Sequence, residues 1–246
     1  MTLPTTLAIV PAAGIGARMG AGYPKQYLSL GEQTILGQTL DRLLSHPGIS
    51  GVVVALHPND TWFDTLPQAA HPKLTRVTGG NERADSVLAA LQAVPADSWA
   101  LVHDAARPCI HASDIDNLLA SREAYPQGAI LAMPVRDTMK RASTASGSEH
   151  CIGETVCREH LWHALTPQLF PAGVLAENIA AALAAGATVT DEASAMEWAG
   201  VQPGLVPGRA DNIKVTHPDD LPLAALFIQA QQLQAQPAIP NHKDPR

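Results

Sequence analysis

The chain has 246 residues, of which 46% are hydrophobic and 16% are charged, and its formal net charge at pH 7 is −7. This composition is typical of a folded globular protein, and the negative charge argues against general affinity for nucleic acids or anionic membranes. The length suits one large domain, which we place at residues 1–236, followed by a polar tail at 237–246.

Short apolar runs alternate with helical patterns in the first half of the chain. The runs predict strands at 7–10, 52–56, 74–77, 99–102 and 129–133. The spacing of Ile, Leu and Val predicts helices at 35–44 and 87–94, and a third helix with Ser113 as its N-cap. Strand and helix in alternation imply an α/β fold with a mainly parallel sheet and helices on both faces.

The pattern changes after Met133. Residues 136–154 are polar and lack a helical stripe, which predicts an extended arm at about 136–157, with a surface loop as the alternative. Helical patterns return at 174–184 and 192–198, a short strand is predicted near 201–206, and a last helix runs to about residue 234.

A glycine-rich segment follows the first predicted strand. Residues 11–26 read PAAGIGARMGAGYPKQ. Small residues let the backbone approach a ligand closely, and unpaired N–H groups in such a turn suit phosphate oxygens. Arg18 and Lys25 add positive charge in the same segment. We therefore predict that this segment binds a triphosphate and supports a reaction at one of its phosphorus atoms.

Two common phosphate-binding loops do not match this segment. The dinucleotide fingerprint G-x-G-x-x-G fits Gly14 and Gly16, but its third glycine position holds Met19. The second predicted strand leads into His57 rather than into an acidic residue that would hold a ribose. A P-loop needs the sequence Gly-Lys-Ser/Thr, and no glycine in the chain precedes a lysine. These differences disfavour an oxidoreductase that uses a nicotinamide cofactor.

Two later strand ends also carry candidate ligand groups. Residues 79–86, GGNERADS, allow a flat base to approach the glycine pair, and Ser86 could bond to base or ribose; a capped helix start is the alternative. Asp104 ends the fourth strand and suits Mg²⁺, directly or through water, with a turn cap as the alternative. Because ligands of such sheets bind beyond the carboxyl ends of the strands, we expect both groups near the glycine-rich segment.

Cations cluster at the start of the predicted arm. Arg136, Lys140 and Arg141 lie within six residues and suit a second, anionic substrate, although a solvated basic surface is the alternative. Further candidates for contacts with that substrate are Arg158, Thr190, Arg209 and Lys214.

The histidines and cysteines indicate neither a metal centre nor a disulfide framework. His160 and His163 are three residues apart, within reach of each other on a helix, but no acidic or cysteine partner lies at ligand spacing. The three cysteines form no C-x-x-C pair, and their odd number favours a reducing compartment. With no signal peptide and no apolar run long enough to cross a bilayer, we expect a cytoplasmic protein.

Taken together, these motifs resemble those of the 2-C-methyl-D-erythritol 4-phosphate cytidylyltransferases, the CTP-dependent enzymes of the non-mevalonate isoprenoid pathway. The resemblance extends from about residue 7 to about residue 228. It rests on VPAAGIGARMG at 10–20, PKQY at 24–27, GGNERADS at 79–86, VHDAARP at 102–108, PVRDTMK at 134–140, LTPQ at 165–168, TDEA at 190–193 and GRADNIKVT at 208–216.

The resemblance implies a single Rossmann-like α/β domain of the nucleotidyltransferase type, with a protruding β-arm that embraces a second subunit in a homodimer. It implies Arg18 and Lys25 as catalytic cations and Asp104 as the residue at Mg²⁺. The nucleotide site then comprises Pro11, Ala12, Ala13, Gly14, Gly16, Gly80, Asn81, Ser86, Asp104 and Ala105. The acceptor substrate is assigned to Arg107, Thr138, Arg158, Thr190 and Lys214, with Arg158 supplied by the partner subunit.

The implied reaction transfers CMP from CTP to 2-C-methyl-D-erythritol 4-phosphate and releases pyrophosphate. A cytidylyltransferase for another polyol phosphate, such as ribitol 5-phosphate, is the nearest alternative, since the nucleotide loop would be the same. A nucleotide-binding regulator without activity is disfavoured by the presence of both Arg18 and Lys25.

Overall fold

The computed structural model describes residues 5–14, 24–144 and 151–235. Its strands are β1 (Thr6–Ala12), β2 (Ser29–Leu30), β3 (Gln33–Thr34), β4 (Gly51–Leu56), β5 (Leu74–Thr78), β6 (Trp99–Val102), β7 (Ala129–Pro134), β8 (Met139–Ala142), β9 (Ile152–Val156), β10 (Trp162–Pro171) and β11 (Gly204–Pro207). Its α-helices are α1 (Ile35–Leu44), α2 (Arg83–Leu91), α3 (Ala112–Ala120), α4 (Ala172–Ala184), α5 (Glu192–Trp198) and α6 (Asp220–Ala235).

Seven strands form the main sheet in the order β11-β7-β10-β6-β1-β4-β5. Strand β1 pairs in parallel with β4 and β6, β4 pairs in parallel with β5, and β11 pairs in parallel with β7. Strand β10 lies between β6 and β7 and is antiparallel to both. The predicted α/β fold with a mainly parallel sheet is confirmed.

The central strands are apolar on both sides because helices cover both faces of the sheet. In β1, Val10 packs into a core with α1 and α3, whereas its neighbour Ile9 faces a second core with α2, α4 and α5. Every residue of β4 is buried. Side chains that alternate between two buried faces explain why the parallel strands read as continuous apolar runs.

Strand β10 was not predicted from the sequence. Its middle contains Thr166, Pro167 and Gln168, and the register with β7 shifts between Ala164 and Gln168. Polar residues and a proline are unusual in a central strand. The sequence of β10 therefore lacks the apolar pattern from which a strand is predicted. His163 lies in this strand, so the helical spacing from His160 does not apply to the pair.

Two predicted element boundaries also differ from the structure. Helix α3 begins at Ala112, with His111 as its N-cap, because the His111 ring accepts the backbone N–H of Ser113. Strand β11 begins at Gly204, and Val201, where the strand was predicted to start, instead donates its N–H to Met196 in helix α5.

The extended structure predicted for the arm is present. Strands β8 and β9 form a separate two-stranded antiparallel sheet in which Met139 lies opposite Val156. The residues of β8 are all exposed. The middle of the predicted arm, 145–150, and the predicted tail, 237–246, lie outside the described residues. Among the helices of the described ranges, none has the length and apolar character needed to cross a membrane.

Candidate active site at the strand ends

A cavity of about 420 Å³ opens where β1 and β6 end and where α2 begins. The groups around it come from five separate parts of the chain, which the fold brings to one edge of the sheet. Its lining residues are Pro11, Ala12, Ala13, Gly14, Lys25, Gln26, Gly80, Asn81, Glu82, Arg83, Ser86, Asp104, Ala105, Ala106 and Lys214.

Lys25 reaches the cavity from a short 3₁₀ turn, Lys25–Tyr27, that begins after Pro24. Its ammonium donates a hydrogen bond to the carbonyl oxygen of Val215 at 3.1 Å. The side-chain amide of Gln26 donates to the carbonyl of Ala12 at 2.8 Å and is buried. The turn is thus attached both to the end of β1 and to the segment that carries Lys214.

The second wall of the cavity is built by the glycine pair before α2. A Cβ at Gly79 would lie 2.6 Å from Cβ of Ala13, so only glycine allows the two strand ends to approach this closely. The hydroxyl oxygen of Ser86 accepts the N–H of Gly80 at 3.1 Å. Asn81 is exposed and faces the cavity beside this pair. The wall therefore offers a close backbone surface next to polar side chains.

Asp104 is surrounded by cations. One carboxylate oxygen accepts from Nε of Arg83 at 3.0 Å, and the other lies 2.8 Å from Nζ of Lys214 and 3.6 Å from Nε of Arg107. Burial of Asp104 opposes its ionisation, but the charges of Arg83 and Lys214 outweigh that effect and hold the pKa of the carboxyl well below its usual range. Asp104 is therefore a carboxylate at any physiological pH.

Arg83 also pairs with a second carboxylate. Its two terminal nitrogens donate to the two oxygens of Glu192 at 2.7 and 3.1 Å, and the Glu192 side chain is only 1% exposed. This bidentate pair joins the N-terminus of α2 to that of α5. Neither residue has a role predicted from the sequence. They stand 109 positions apart, so no local pattern could have paired them.

A buried network holds the loop on which Asp104 lies. The hydroxyl oxygen of Thr166 accepts the backbone N–H of Asp104 at 3.0 Å and is 3.0 Å from Nδ1 of His103. The other ring nitrogen of His103 is 3.0 Å from the carbonyl of Arg107. A neutral ring that donates from Nε2 and accepts from the threonine satisfies all three contacts. Asn212 extends the network by donating to the Thr166 carbonyl at 2.7 Å.

This network predicts a loss of stability in mild acid. Burial lowers the pKa of His103 from its ordinary 6.5 to about 4, despite hydrogen bonds that favour the charged ring. As the pH falls below 6.5, the unfolded chain takes up the proton before the folded chain does. The contribution of His103 to the free energy of unfolding is therefore fully present above pH 6.5. It falls between pH 6.5 and 4, by up to about 3 kcal/mol.

The measurement is urea unfolding in metal-free buffer at a series of pH values. The His103→Gln variant is expected to lose this pH-dependent component, whereas His163→Gln, which changes an exposed ring, should keep it. Equal slopes for the wild type and His103→Gln would contradict the assignment.

The structure brings most of the predicted nucleotide residues together with one predicted catalytic cation, Lys25, and one predicted acceptor residue, Lys214. The nucleotide residues that line the cavity are Pro11, Ala12, Ala13, Gly14, Gly80, Asn81, Ser86, Asp104 and Ala105. Four further residues line the cavity without having been predicted as site residues, namely Gln26, Glu82, Arg83 and Ala106. Gly16 and Arg18 lie outside the described residues.

The other predicted acceptor residues do not line this cavity. Arg107 is buried beneath it and donates to the carbonyl of Asn212 at 2.8 Å. Thr190 is exposed just before α5, and Thr138 and Arg158 are exposed in the arm region. Arg158 donates to the carbonyl of Arg136. Their roles stay predictions.

Comparison with known proteins gives a consistent result. The family model for 2-C-methyl-D-erythritol 4-phosphate cytidylyltransferase matches residues 6–230. A protein of that name from Shewanella amazonensis is 70% identical over 228 residues, which cover 92% of this chain and 94% of that protein. The crystal structure of a 4-diphosphocytidyl-2C-methyl-D-erythritol synthase is 36% identical, with a TM-score of 0.78 over 92% of this chain and 98% of that one. A Francisella tularensis 2-C-methyl-D-erythritol 4-phosphate cytidylyltransferase is 34% identical, with a TM-score of 0.78 over 91% of this chain and 99% of that one.

Proposed function

Because the chain belongs to the 2-C-methyl-D-erythritol 4-phosphate cytidylyltransferase family, we propose that the cavity at the strand ends is where it transfers CMP. The enzyme uses CTP and 2-C-methyl-D-erythritol 4-phosphate and releases pyrophosphate, a step of isoprenoid precursor biosynthesis. The observation that carries the location is the convergence of Lys25 and Lys214, 189 residues apart in sequence, on one cavity walled by glycines.

The chemistry defines what the cavity has to do. An oxygen of the acceptor phosphate attacks the α-phosphorus of CTP in line, one P–O bond forms, and the bond to the β-phosphate breaks. Both reactants are anions, so repulsion is the main obstacle. Positioning and charge neutralisation therefore carry most of the rate, with little covalent work for the protein.

We assign the nucleotide to the part of the cavity between β1 and α2. The backbone at Gly80 and the side chains of Asn81 and Ser86 suit the base and the ribose, since that wall is polar and closely approachable. The triphosphate then lies along the residues from Pro11 to Gly14, within reach of Lys25. Arg18 is proposed as the second cation at the phosphates on the basis of its place in the family motif.

The residues present fit a magnesium ion that arrives with the nucleotide. Among the described residues, no group of three or more His, Cys, Asp or Glu is arranged to hold a metal ion. Mg²⁺ commonly uses only one or two carboxylates, with phosphates and water completing its coordination. Asp104 lines the cavity and would supply such a hard oxygen ligand in exchange for its ion pair with Lys214. When bound there, the ion would neutralise charge on the triphosphate and its leaving group.

We place the acceptor phosphate beside Lys214, and Thr190 and Arg107 stay as further candidates from the family motif. Thr138 and Arg158 belong to the exposed arm and line no part of this chain's own cavity. This supports their delivery by the arm of a second copy, in a homodimer. Cations on an exposed two-stranded arm are suited to that role because they can approach an anion held by another subunit.

Lys214→Ala tests the acceptor assignment. Removing the ammonium is expected to raise KM for the acceptor at least tenfold, with a smaller effect on KM for CTP, because a charge that binds the acceptor phosphate equally in ground and transition states acts on KM. Steady-state kinetics with each substrate varied in turn measures the effect. Lys73→Ala, which removes a lysine far from the cavity, serves as the control. An effect confined to CTP would show that the acceptor lies elsewhere.

The activity itself is tested by pyrophosphate release with two acceptors and two nucleotides. We expect turnover with CTP and 2-C-methyl-D-erythritol 4-phosphate, and much less with ATP or with ribitol 5-phosphate. Equal turnover with ribitol 5-phosphate and with 2-C-methyl-D-erythritol 4-phosphate would show that the enzyme does not select the acceptor that we assign. Equal turnover with ATP would instead show that the cavity does not select the cytosine base.

A further inference from the structure

The turn that carries Lys25 is also anchored by a residue that does not line the cavity. The hydroxyl of Tyr27 donates to Oδ2 of Asp60 at 2.7 Å. Asp60 lies in the loop after β4, and its other oxygen accepts the backbone N–H groups of Trp62 and Phe63 at 3.0 and 2.9 Å. A single carboxylate thus joins the Lys25 turn to the loop at the end of a central strand.

The anchor is rigid as well as polar. Tyr27 is 6% exposed, and its ring stacks on that of Trp62 with centroids 5.9 Å apart and an interplanar angle of 30°. Burial and the neighbouring Asp60 raise the pKa of the Tyr27 phenol, so the hydroxyl remains a donor. Gln26, next to it, is tied to the end of β1. Two consecutive residues after Lys25 are therefore fixed to two different strand ends.

We propose that Tyr27 and Asp60 are positioning residues that fix the turn from which Lys25 reaches the phosphates. The inference rests on the proposed function of Lys25. The ammonium acts at the end of a long flexible side chain, so its place depends on a backbone held to within a fraction of an ångström. A displacement of about 1 Å at a reacting group can cost a hundredfold in rate.

The test uses the hydroxyl alone. Tyr27→Phe keeps the ring and its stacking and removes only the bond to Asp60. We expect kcat to fall about tenfold while KM for CTP stays within about twofold. The reason is that a less precisely placed Lys25 ammonium stabilises the transition state less well. Asp60→Asn should retain most of the activity, since the amide can donate to the phenol oxygen and its carbonyl oxygen can still accept the backbone N–H groups. Tyr125→Phe, the same chemical change at a half-exposed tyrosine away from the cavity, is the control.

A double-mutant cycle separates positioning from a general structural effect. If Tyr27 acts through Lys25, then Tyr27→Phe should cause no further loss of kcat in a Lys25→Ala background. The same fractional loss in both backgrounds would overturn the proposal. So would a normal kcat for Tyr27→Phe in an otherwise wild-type enzyme when Lys25→Ala is slow. A normal kcat for Lys25→Ala would instead reject the catalytic role of the lysine itself, and the positioning role with it.

Discussion

Replacing Lys25 by alanine is expected to lower kcat by about a hundredfold to a thousandfold. Removing one preorganised charge that acts on the transition state typically costs roughly 3–4 kcal/mol. Lys25 is held in place by the Val215 carbonyl and by the anchored turn around it. Its charge therefore needs no reorganisation at the moment of phosphoryl transfer, which is the condition for so large an effect.

The affinity for CTP should change far less than the rate. We assign most of the contacts that bind the ground state to the glycine wall and to the backbone at the end of β1, and Lys25→Ala leaves both intact. Single-turnover kinetics and calorimetric titration with CTP separate the two quantities. Lys73→Ala is the matched control for the loss of one positive charge from the surface. A variant with near-normal kcat would show that Lys25 does not act on the transition state.

Replacing Arg83 by methionine should destabilise the fold by about 3–5 kcal/mol, because it leaves Glu192 as an uncompensated charge in the interior. Glu192 has no route to water at its 1% exposure, and both of its oxygens depend on the guanidinium. The free energy of unfolding in urea at pH 7 measures the loss. Asp104 keeps Lys214 as a partner in this variant, so the penalty arises chiefly at Glu192.

Two companion variants identify the cause. Glu192→Gln removes the charge, keeps the size of the side chain, and should destabilise the protein less than Arg83→Met does. The double variant Arg83→Met with Glu192→Leu should recover much of the stability, since replacing both members of a buried ion pair by apolar residues is often neutral. The free-energy losses of Arg83→Met and Glu192→Leu, each measured alone, give the sum to compare. If the double variant lost as much stability as that sum, the ion pair would not be the source of the effect.

The parts of the site that depend on the backbone could be predicted from the sequence. Glycines and small residues directly after apolar runs mark strand ends, and parallel strands place those ends at one edge of the sheet. Ala13 and Gly80 could therefore be assigned to one site although they are 67 residues apart in the sequence. Asp104 was predicted for the same reason, because it follows β6 directly.

The parts that depend on side-chain partners could not be predicted. The Arg83–Glu192 pair and the Thr166 contact with Asp104 join segments that have no common sequence pattern. Strand β10 was also not predicted, because its central residues form hydrogen bonds at the site and do not show the alternation of apolar and polar residues that marks a strand. Gln168 is an example. Its side-chain NH₂ group donates to Asp191 and its side-chain oxygen accepts the N–H of Ala193, which fixes the start of α5.

The placement of β10 restricts how this protein can change its length. Its outer end lies beside the exposed arm, whereas its inner half carries Thr166 and Gln168 between two sheet neighbours. Thr166 and Gln168 bond to different segments of the chain, so inserting or deleting one residue beside them would move at least one of them away from its partners. We therefore expect a change in length to be tolerated in the arm and to be damaging between Ala164 and Pro171.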